Sequence, residues 1–98
     1  MLEINKIHSG TKIIIYLKGR LDNLTAQQFS ESIEQEEFES IEVNCKDLDY
    51  ISSAGLRVFL QARKKYPTMA LTLVTPNVYE ILDVTGFISY FQVSQLED

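Results

Sequence analysis

The segment DLDYISSAGLRVFLQARKK, residues 47–65, contains the clearest change of structure in this sequence. Its first residues resemble a strand, whereas residues from about 54 to 66 have helical apolar spacing and end at Pro67, which cannot continue a helix. Ser52 and Ser53 therefore lie where a strand is predicted to pass into a helix. Either serine is a candidate N-cap, a position where a hydroxyl accepts a hydrogen bond from an unpaired backbone amide.

The rest of the chain predicts further strands and helices on both sides of this segment. Apolar alternation, helical spacing and turn residues predict strands at 2–7, 12–19, 40–48, 69–74 and 90–93 and helices within 20–38 and 75–86. The short Ser9-Gly10 turn predicts an antiparallel hairpin of the first two strands. The strands and helices that follow alternate, which predicts right-handed crossovers between parallel strands.

These elements predict a single α/β domain of order β-β-α-β-α-β-α-β. Its sheet is expected to be mixed and mostly parallel, with the richly apolar second strand at the centre. Because apolar and polar residues alternate in the strands, the helices should pack mainly on one face and leave the other face partly exposed to water.

Two helices carry residues typical of helix ends. Thr25 followed by Gln28 predicts a capping box, in which the hydroxyl and the amide side chain satisfy backbone groups of the first turn. Thr75 is a candidate cap for the last helix, Pro76 suits its first turn, and Gly86 suits the left-handed position after its end.

Composition restricts the classes of function. The 98 residues suit one domain, and the formal net charge of −5 argues against nonspecific nucleic-acid binding, which depends on cationic contacts to phosphates. The sequence has no apolar run of the ~18 residues needed to cross a bilayer, and its N-terminus has no signal-peptide pattern. We therefore expect a cytoplasmic protein that is not inserted in a membrane. The single cysteine, Cys45, is expected to be a packed core residue.

The usual signatures of catalysis are missing from the sequence. His8 is the only histidine and lies next to a predicted turn, so a Ser-His-Asp triad is disfavoured. One histidine and one cysteine do not provide the clustered ligands of a metal site. The sequence contains no glycine-rich phosphate loop, and SSAG does not match the GxSxG motif. We expect no enzymatic activity, no cofactor and no metal.

The junction at Ser52 and Ser53 allows a regulatory role as well as a structural one. A helix N-terminus carries positive potential and free N–H groups, so the domain itself would accommodate a phosphate on the serine there. Phosphorylation adds about −1.5 to −2 charges at pH 7, which a partner docked over the helix start would meet as an uncompensated dianion. One modification would then change binding without unfolding the domain.

Residues 47–65 resemble the signature of the STAS domain, and specifically that of bacterial anti-sigma factor antagonists. KGRLD, residues 18–22, resembles the Gly-x-Leu-Asp segment that follows the second strand of this family, and ILDVTGF, residues 81–87, resembles the end of its next helix. The resemblance covers nearly the whole chain, so residues 1–98 are interpreted as one STAS domain.

The resemblance implies a partner-switching mechanism. Family members bind an anti-sigma factor, often itself a serine kinase, and thereby free a sigma factor. The kinase phosphorylates a serine two residues before the motif glycine, which abolishes binding, and a PP2C-type phosphatase reverses the modification. With Gly55 as that glycine, the acceptor here is Ser53. Ser52 occupies a slot often held by aspartate and is a second candidate, while Ala54 replaces the usual second serine.

The predicted partner surface surrounds the helix start. It comprises Asp22, Asp49, Tyr50, Ile51, Ser52, Ser53, Gly55 and Leu56. For Tyr50 and Ile51, contact with a partner and burial in the loop remain open alternatives. The alternative function is a STAS regulatory subunit of a transporter or of a lipid-trafficking ABC system. A small-ligand or nucleotide binder is a third hypothesis, although the sequence has no phosphate loop to support it.

Overall fold

The computed structural model of this chain describes residues 1–34 and 38–96. Its elements are β1 (Leu2–Ser9), β2 (Lys12–Leu21), α1 (Ala26–Glu34), β3 (Ser40–Ile51), α2 (Ser53–Lys65), β4 (Ala70–Val74), α3 (Pro76–Val84), a 3₁₀ helix (Phe87–Tyr90) and β5 (Gln92–Gln95). The predicted order of strands and helices is confirmed. The part of the predicted first helix at residues 35–37 and the last two residues of the chain lie outside the described residues.

The five strands form one mixed sheet in the order β1-β2-β3-β4-β5. β1 and β2 pair antiparallel across a turn in which Gly10 has a φ of +63°, and the other neighbouring strands pair in parallel. The prediction that β2 is central is wrong. The hairpin places β1 outside β2, and the crossovers add strands only on the other side, so β3 takes the centre.

One face of the sheet carries the core. The inward side chains of the two longest strands are almost fully buried and comprise Ile13, Ile15, Leu17, Ile41, Val43, Cys45, Leu48 and Ile51. The opposite face is partly exposed and polar, and there Glu42 pairs with Lys12 at 2.6 Å and accepts a hydrogen bond from Thr72 at 3.1 Å. The predicted one-sided packing of the helices is confirmed.

Cys45 is a core residue, as its place in an alternating strand predicted. Its thiol is fully buried beneath the helices. Burial raises the pKa of the Cys45 thiol to about 12, because the thiolate is poorly solvated in an apolar interior. The side chain is therefore an uncharged packing group at neutral pH.

Helix α2 is held in place by aromatic packing. The buried ring of Phe59 meets Phe29 of α1 edge-on, with ring centroids 5.6 Å apart, and meets Phe91 in the same way at 6.1 Å. Such edge-to-face contacts add to the burial of the rings. Phe59 therefore links α2 to α1 and to the segment before β5.

The predicted capping box at Thr25 is wrong. The Thr25 hydroxyl instead accepts a hydrogen bond from the Asp22 amide at 2.9 Å and donates one to the Arg20 carbonyl at 2.8 Å. The Gln28 side chain donates to the Leu2 carbonyl of β1 at 3.1 Å. Both side chains thus join α1 to the sheet, because tertiary partners compete with the local cap.

The predicted ends of α3 are mostly confirmed. Pro76 is its first residue, and Gly86 follows it with a left-handed φ of +78°. Thr75 is the N-cap residue, but its hydroxyl makes no capping hydrogen bond and donates to the Leu48 carbonyl of β3 at 3.3 Å. The threonine therefore joins α3 to the central strand.

Candidate functional site

The candidate site lies where β2 and β3 end and α2 begins. Leu21 and Ile51 are paired in register at the carboxyl ends of these parallel strands, and both are buried. The backbone amide of Ser52 donates to the Leu21 carbonyl at 2.9 Å, which extends the pairing one residue further. The start of α2 is therefore attached directly to the sheet, and the loop after β2 lies beside it.

Ser52 is the N-cap residue of α2. Its backbone is extended, with φ −95° and ψ 175°, and its carbonyl accepts the first helical bond from Leu56 at 2.9 Å. Its hydroxyl accepts a hydrogen bond from the Gly55 amide at 3.4 Å and donates to Oδ1 of Asn23 at 3.5 Å. Of the two candidate serines, Ser52 has the structural role.

Ser53 is the first residue of α2, and its side chain is exposed. Its hydroxyl makes no hydrogen bond to any part of the chain that the structure describes. Since the neighbouring serine caps the helix, nothing in the local structure requires a hydroxyl at position 53. Ser53 is thus available for an interaction with another molecule.

We predict a loss of stability on replacing Ser52 and almost no change on replacing Ser53. Ser52→Ala removes the capping oxygen and is expected to lower the free energy of unfolding by about 1 kcal/mol. That loss corresponds to a fall in Tm of roughly 4–8 °C for a domain of this size. Ser53→Ala, the matched control, is expected to change the free energy of unfolding by less than about 0.5 kcal/mol, in keeping with other exposed sites. Thermal melts of both variants measure the difference, and equal losses would contradict these roles.

Gly55 allows α2 to approach the strands closely. A Cβ atom at this position would lie 2.7 Å from Cγ of Leu21 and 3.0 Å from Cγ1 of Ile51. Such distances require the neighbouring side chains to shift, so a glycine suits this position for steric reasons rather than for its φ angle. The close approach holds the helix start over the ends of β2 and β3.

The loop after β2 is organised by Asp22. Its carboxylate accepts hydrogen bonds from the amides of Leu24 at 3.0 Å and Thr25 at 3.2 Å. Burial disfavours the charged form of Asp22, but these hydrogen bonds, the Thr25 hydroxyl and the charge of Arg20 outweigh it, so the pKa of Asp22 lies below its ordinary value. The carboxylate is therefore ionised at neutral pH.

Arg20 and Tyr50 lie side by side at the ends of the two strands. The guanidinium of Arg20 lies 4.3 Å from the centroid of the Tyr50 ring, and its Nε is 3.7 Å from Oδ2 of Asp22. Tyr50 is only partly buried, so it contributes to the surface next to the helix start. Asp49 is exposed beside it.

Three residues of the predicted partner surface are buried. Ile51 and Leu56 have only 1% and 3% of their surface exposed, and Gly55 is also buried. They do not form the surface but hold it in place. The side chains of Ile51 and Leu56 pack in the core, and Gly55 lets the helix start lie close to the strands. The accessible part of the predicted set is Asp22, Asp49, Tyr50, Ser52 and Ser53.

Two residues of the site were not predicted from the sequence. Asn23 accepts the hydrogen bond from Ser52, and Leu24 is 90% exposed. Both lie in the loop between β2 and α1, just before Thr25, and neither was among the predicted site residues. Leu24 precedes the predicted cap Thr25 and does not share the spacing of the buried Phe29 and Ile33, and these two sequence signals separate it from the helix.

The described residues contain no group suited to hold a metal ion. Within 1–34 and 38–96, no three His, Cys, Asp or Glu side chains come together as metal ligands. In the same part of the chain, no helix is long and apolar enough to span a membrane.

Fold and site together define an α/β domain that presents an exposed serine at a helix start, beyond the carboxyl ends of its parallel strands. The STAS domain model matches residues 3–98. The chain therefore belongs to the STAS domain family.

One curated relative and two solved structures are similar to this chain over most of its length. The chain is 33% identical to the anti-sigma F factor antagonist of Paenibacillus polymyxa over 93 residues, which are 87% of this chain and 80% of that protein. The crystal structure of an anti-sigma factor antagonist from Mycobacterium paratuberculosis has a TM-score of 0.85 at 13% identity, covering 95% of this chain and 85% of that one. The Bacillus cell fate determinant SpoIIAA in its phosphorylated form has a TM-score of 0.69 at 16% identity, covering 97% and 92%.

Proposed function

We propose that this protein is an anti-sigma factor antagonist switched by phosphorylation of Ser53. In the unmodified state it binds an anti-sigma factor that is also a serine kinase, and a sigma factor is released. Phosphorylation by the bound kinase ends the interaction, and a PP2C-type phosphatase restores it. The name of the Paenibacillus relative and its similarity over most of both chains support the antagonist role.

The observation that carries the switch is the difference between the two serines. The hydroxyl of Ser52 is engaged by Gly55 and Asn23, whereas that of Ser53 is exposed and without a hydrogen bond among the described residues. A kinase needs a hydroxyl that enters its active site without breaking the structure that presents it. Ser53 meets this requirement and Ser52 does not.

The modification is an ordinary phosphoryl transfer from ATP. The Ser53 oxygen forms a bond to the γ-phosphorus, the bond between that phosphorus and the ADP leaving group breaks, and a base of the kinase takes the hydroxyl proton. The antagonist supplies only the positioned hydroxyl. This role fits a domain whose described residues offer no metal cluster and whose sequence has no phosphate loop.

The proposed partner surface combines a polar part and an apolar part around Ser53. Asp22 and Asp49 supply negative charge, while Tyr50 and the protruding Leu24 supply apolar contact area. A single exposed leucine is ordinary on a protein surface, so the proposed role of Leu24 rests on its place next to Asn23, which accepts the hydrogen bond from Ser52. Ser53 lies beside these residues, so a phosphate on it would be introduced at the interface itself.

The proposal is tested by incubating the protein with ATP and the anti-sigma factor kinase encoded in the same genome. We expect one phosphate per chain and a phosphopeptide that maps to Ser53. Ser53→Ala is expected to abolish the modification, while Ser52→Ala should retain it despite lower stability. Modification of Ser52 alone would overturn the assignment. Failure of the unmodified protein to bind the anti-sigma factor would instead favour the transporter-subunit alternative.

A further inference from the structure

Arg57 is an exposed cation one helical turn after Ser53. It is the fifth residue of α2, and its side chain forms no hydrogen bond or ion pair within residues 1–34 and 38–96. Positions four residues apart on a helix are neighbours on its surface, with Cβ atoms about 5–6 Å apart. Ser53 and Arg57 therefore occupy adjoining positions on the same exposed face.

The local electrostatics do not explain an arginine at this place. The helix dipole disfavours a cation near the N-terminus, and the first turn of α2 contains no acidic residue to offset it. None of the residues three or four positions from Arg57 in the sequence is acidic either. Among the residues that the structure describes, Arg57 thus has no acidic partner in the unmodified domain.

The direction of side chains on a helix brings this charge toward Ser53. Each Cα–Cβ bond tilts toward the helix N-terminus, so a long side chain covers the turn that precedes its own Cα. For Arg57 that turn begins with Ser53. The five N–H donors of a guanidinium also match the oxygens of a phosphate monoester better than an ammonium does.

We infer that Arg57 is the intramolecular partner of the phosphoryl group on Ser53. This inference rests on the proposed function for the presence of the phosphate, and it adds the residue that holds it. The other charged groups at this end of the domain do not replace Arg57. Arg20 is engaged by Asp22 and stacks on Tyr50, and Asp49 is an anion. Arg57 is thus a positioning residue that keeps the phosphate on the surface of α2.

The test uses protein in which phosphoserine is incorporated at position 53 during translation, so that no kinase is needed. The second pKa of the phosphoserine, about 6 without a partner, is followed by ³¹P NMR at low salt. Arg57 favours the dianion, so Arg57→Gln is expected to raise the titration midpoint by about 0.3 pH unit, the shift that corresponds to a helical ion pair of this spacing. Arg57→Lys should restore part of the shift. The difference should shrink in 1 M NaCl, where the Debye length is about 3 Å.

Lys64→Gln is the matched control. Lys64 is exposed on the same helix, its loss changes the net charge equally, and it lies about 16 Å along the helix axis from Ser53. Its midpoint is expected to agree with that of the parent phosphoprotein. Equal midpoints for the Arg57→Gln and Lys64→Gln variants would overturn the role of Arg57. That result would not affect the proposed switch. Conversely, failure of the kinase to modify Ser53 would refute the switch but would not change the NMR result on Arg57.

Discussion

Replacing Ser53 by aspartate is expected to weaken binding to the anti-sigma factor at least about 30-fold and to leave Tm nearly unchanged. An uncompensated charge in a protein interface costs about 2 kcal/mol or more, and 1.4 kcal/mol is a factor of ten in Kd. The same charge is harmless to the fold, because Ser53 is exposed and an acidic side chain in the first turn suits the helix dipole. Isothermal titration calorimetry and thermal melts measure the two effects.

Two control variants separate charge from size and from position. Ser53→Asn has nearly the shape of the aspartate variant without its charge, and we expect it to retain most of the affinity. Ser52→Asp adds the same charge one residue earlier, where aspartate is a good N-cap. It is expected to bind within a few-fold of the parent protein. Unchanged binding of Ser53→Asp would place the switch elsewhere, and equal losses for Ser53→Asp and Ser53→Asn would implicate steric fit rather than charge.

Replacing Phe59 by alanine is expected to cause the largest loss of stability, about 3–5 kcal/mol in the free energy of unfolding. The ring is fully buried and contacts two other aromatic rings, Phe29 and Phe91, so its removal loses apolar burial and leaves a cavity between three segments. For a domain of about 100 residues the corresponding fall in Tm exceeds roughly 12 °C. Urea denaturation monitored by circular dichroism measures the change.

Lys64→Ala is the control for this effect. Lys64 is exposed on the same helix, and its replacement is expected to change the free energy of unfolding by no more than about 0.5 kcal/mol. A loss below about 1 kcal/mol for Phe59→Ala would show that the aromatic contacts do not anchor α2. A loss of about 3–5 kcal/mol would mean that the position of the helix that carries Ser53 depends on the packing of Phe59, nearly two turns away.

Strong local patterns predicted much of this fold. The alternation in β3, the turn at Gly10, and the Pro76 and Gly86 boundaries of α3 all describe interactions between residues close in sequence. The capping box at Thr25 failed for the opposite reason. The Thr25 hydroxyl is hydrogen-bonded to the preceding loop, and the Gln28 side chain is hydrogen-bonded to β1. A local sequence pattern contains no information about such competing partners.

The candidate site divides in the same way. The sequence placed two serines at a strand-to-helix junction but left the N-cap open between them, because both are good capping residues. The position of Asn23 and the pairing of Ser52 with Leu21 resolved this choice, and both depend on how β2 lies beside β3. Leu24 became a candidate contact only when its exposure and the contact of its neighbour Asn23 with Ser52 were known.

By itself, the sequence determined the α/β class, the order of the elements and the junction that carries Ser53. These follow from apolar periodicity and turn residues, which act over a few neighbouring positions. Only the tertiary structure decided that β3 is central, that Ser52 caps the helix, and that Ile51 and Leu56 are buried while Leu24 is exposed. Each of these properties depends on contacts between segments far apart in the chain, so no local pattern specifies it.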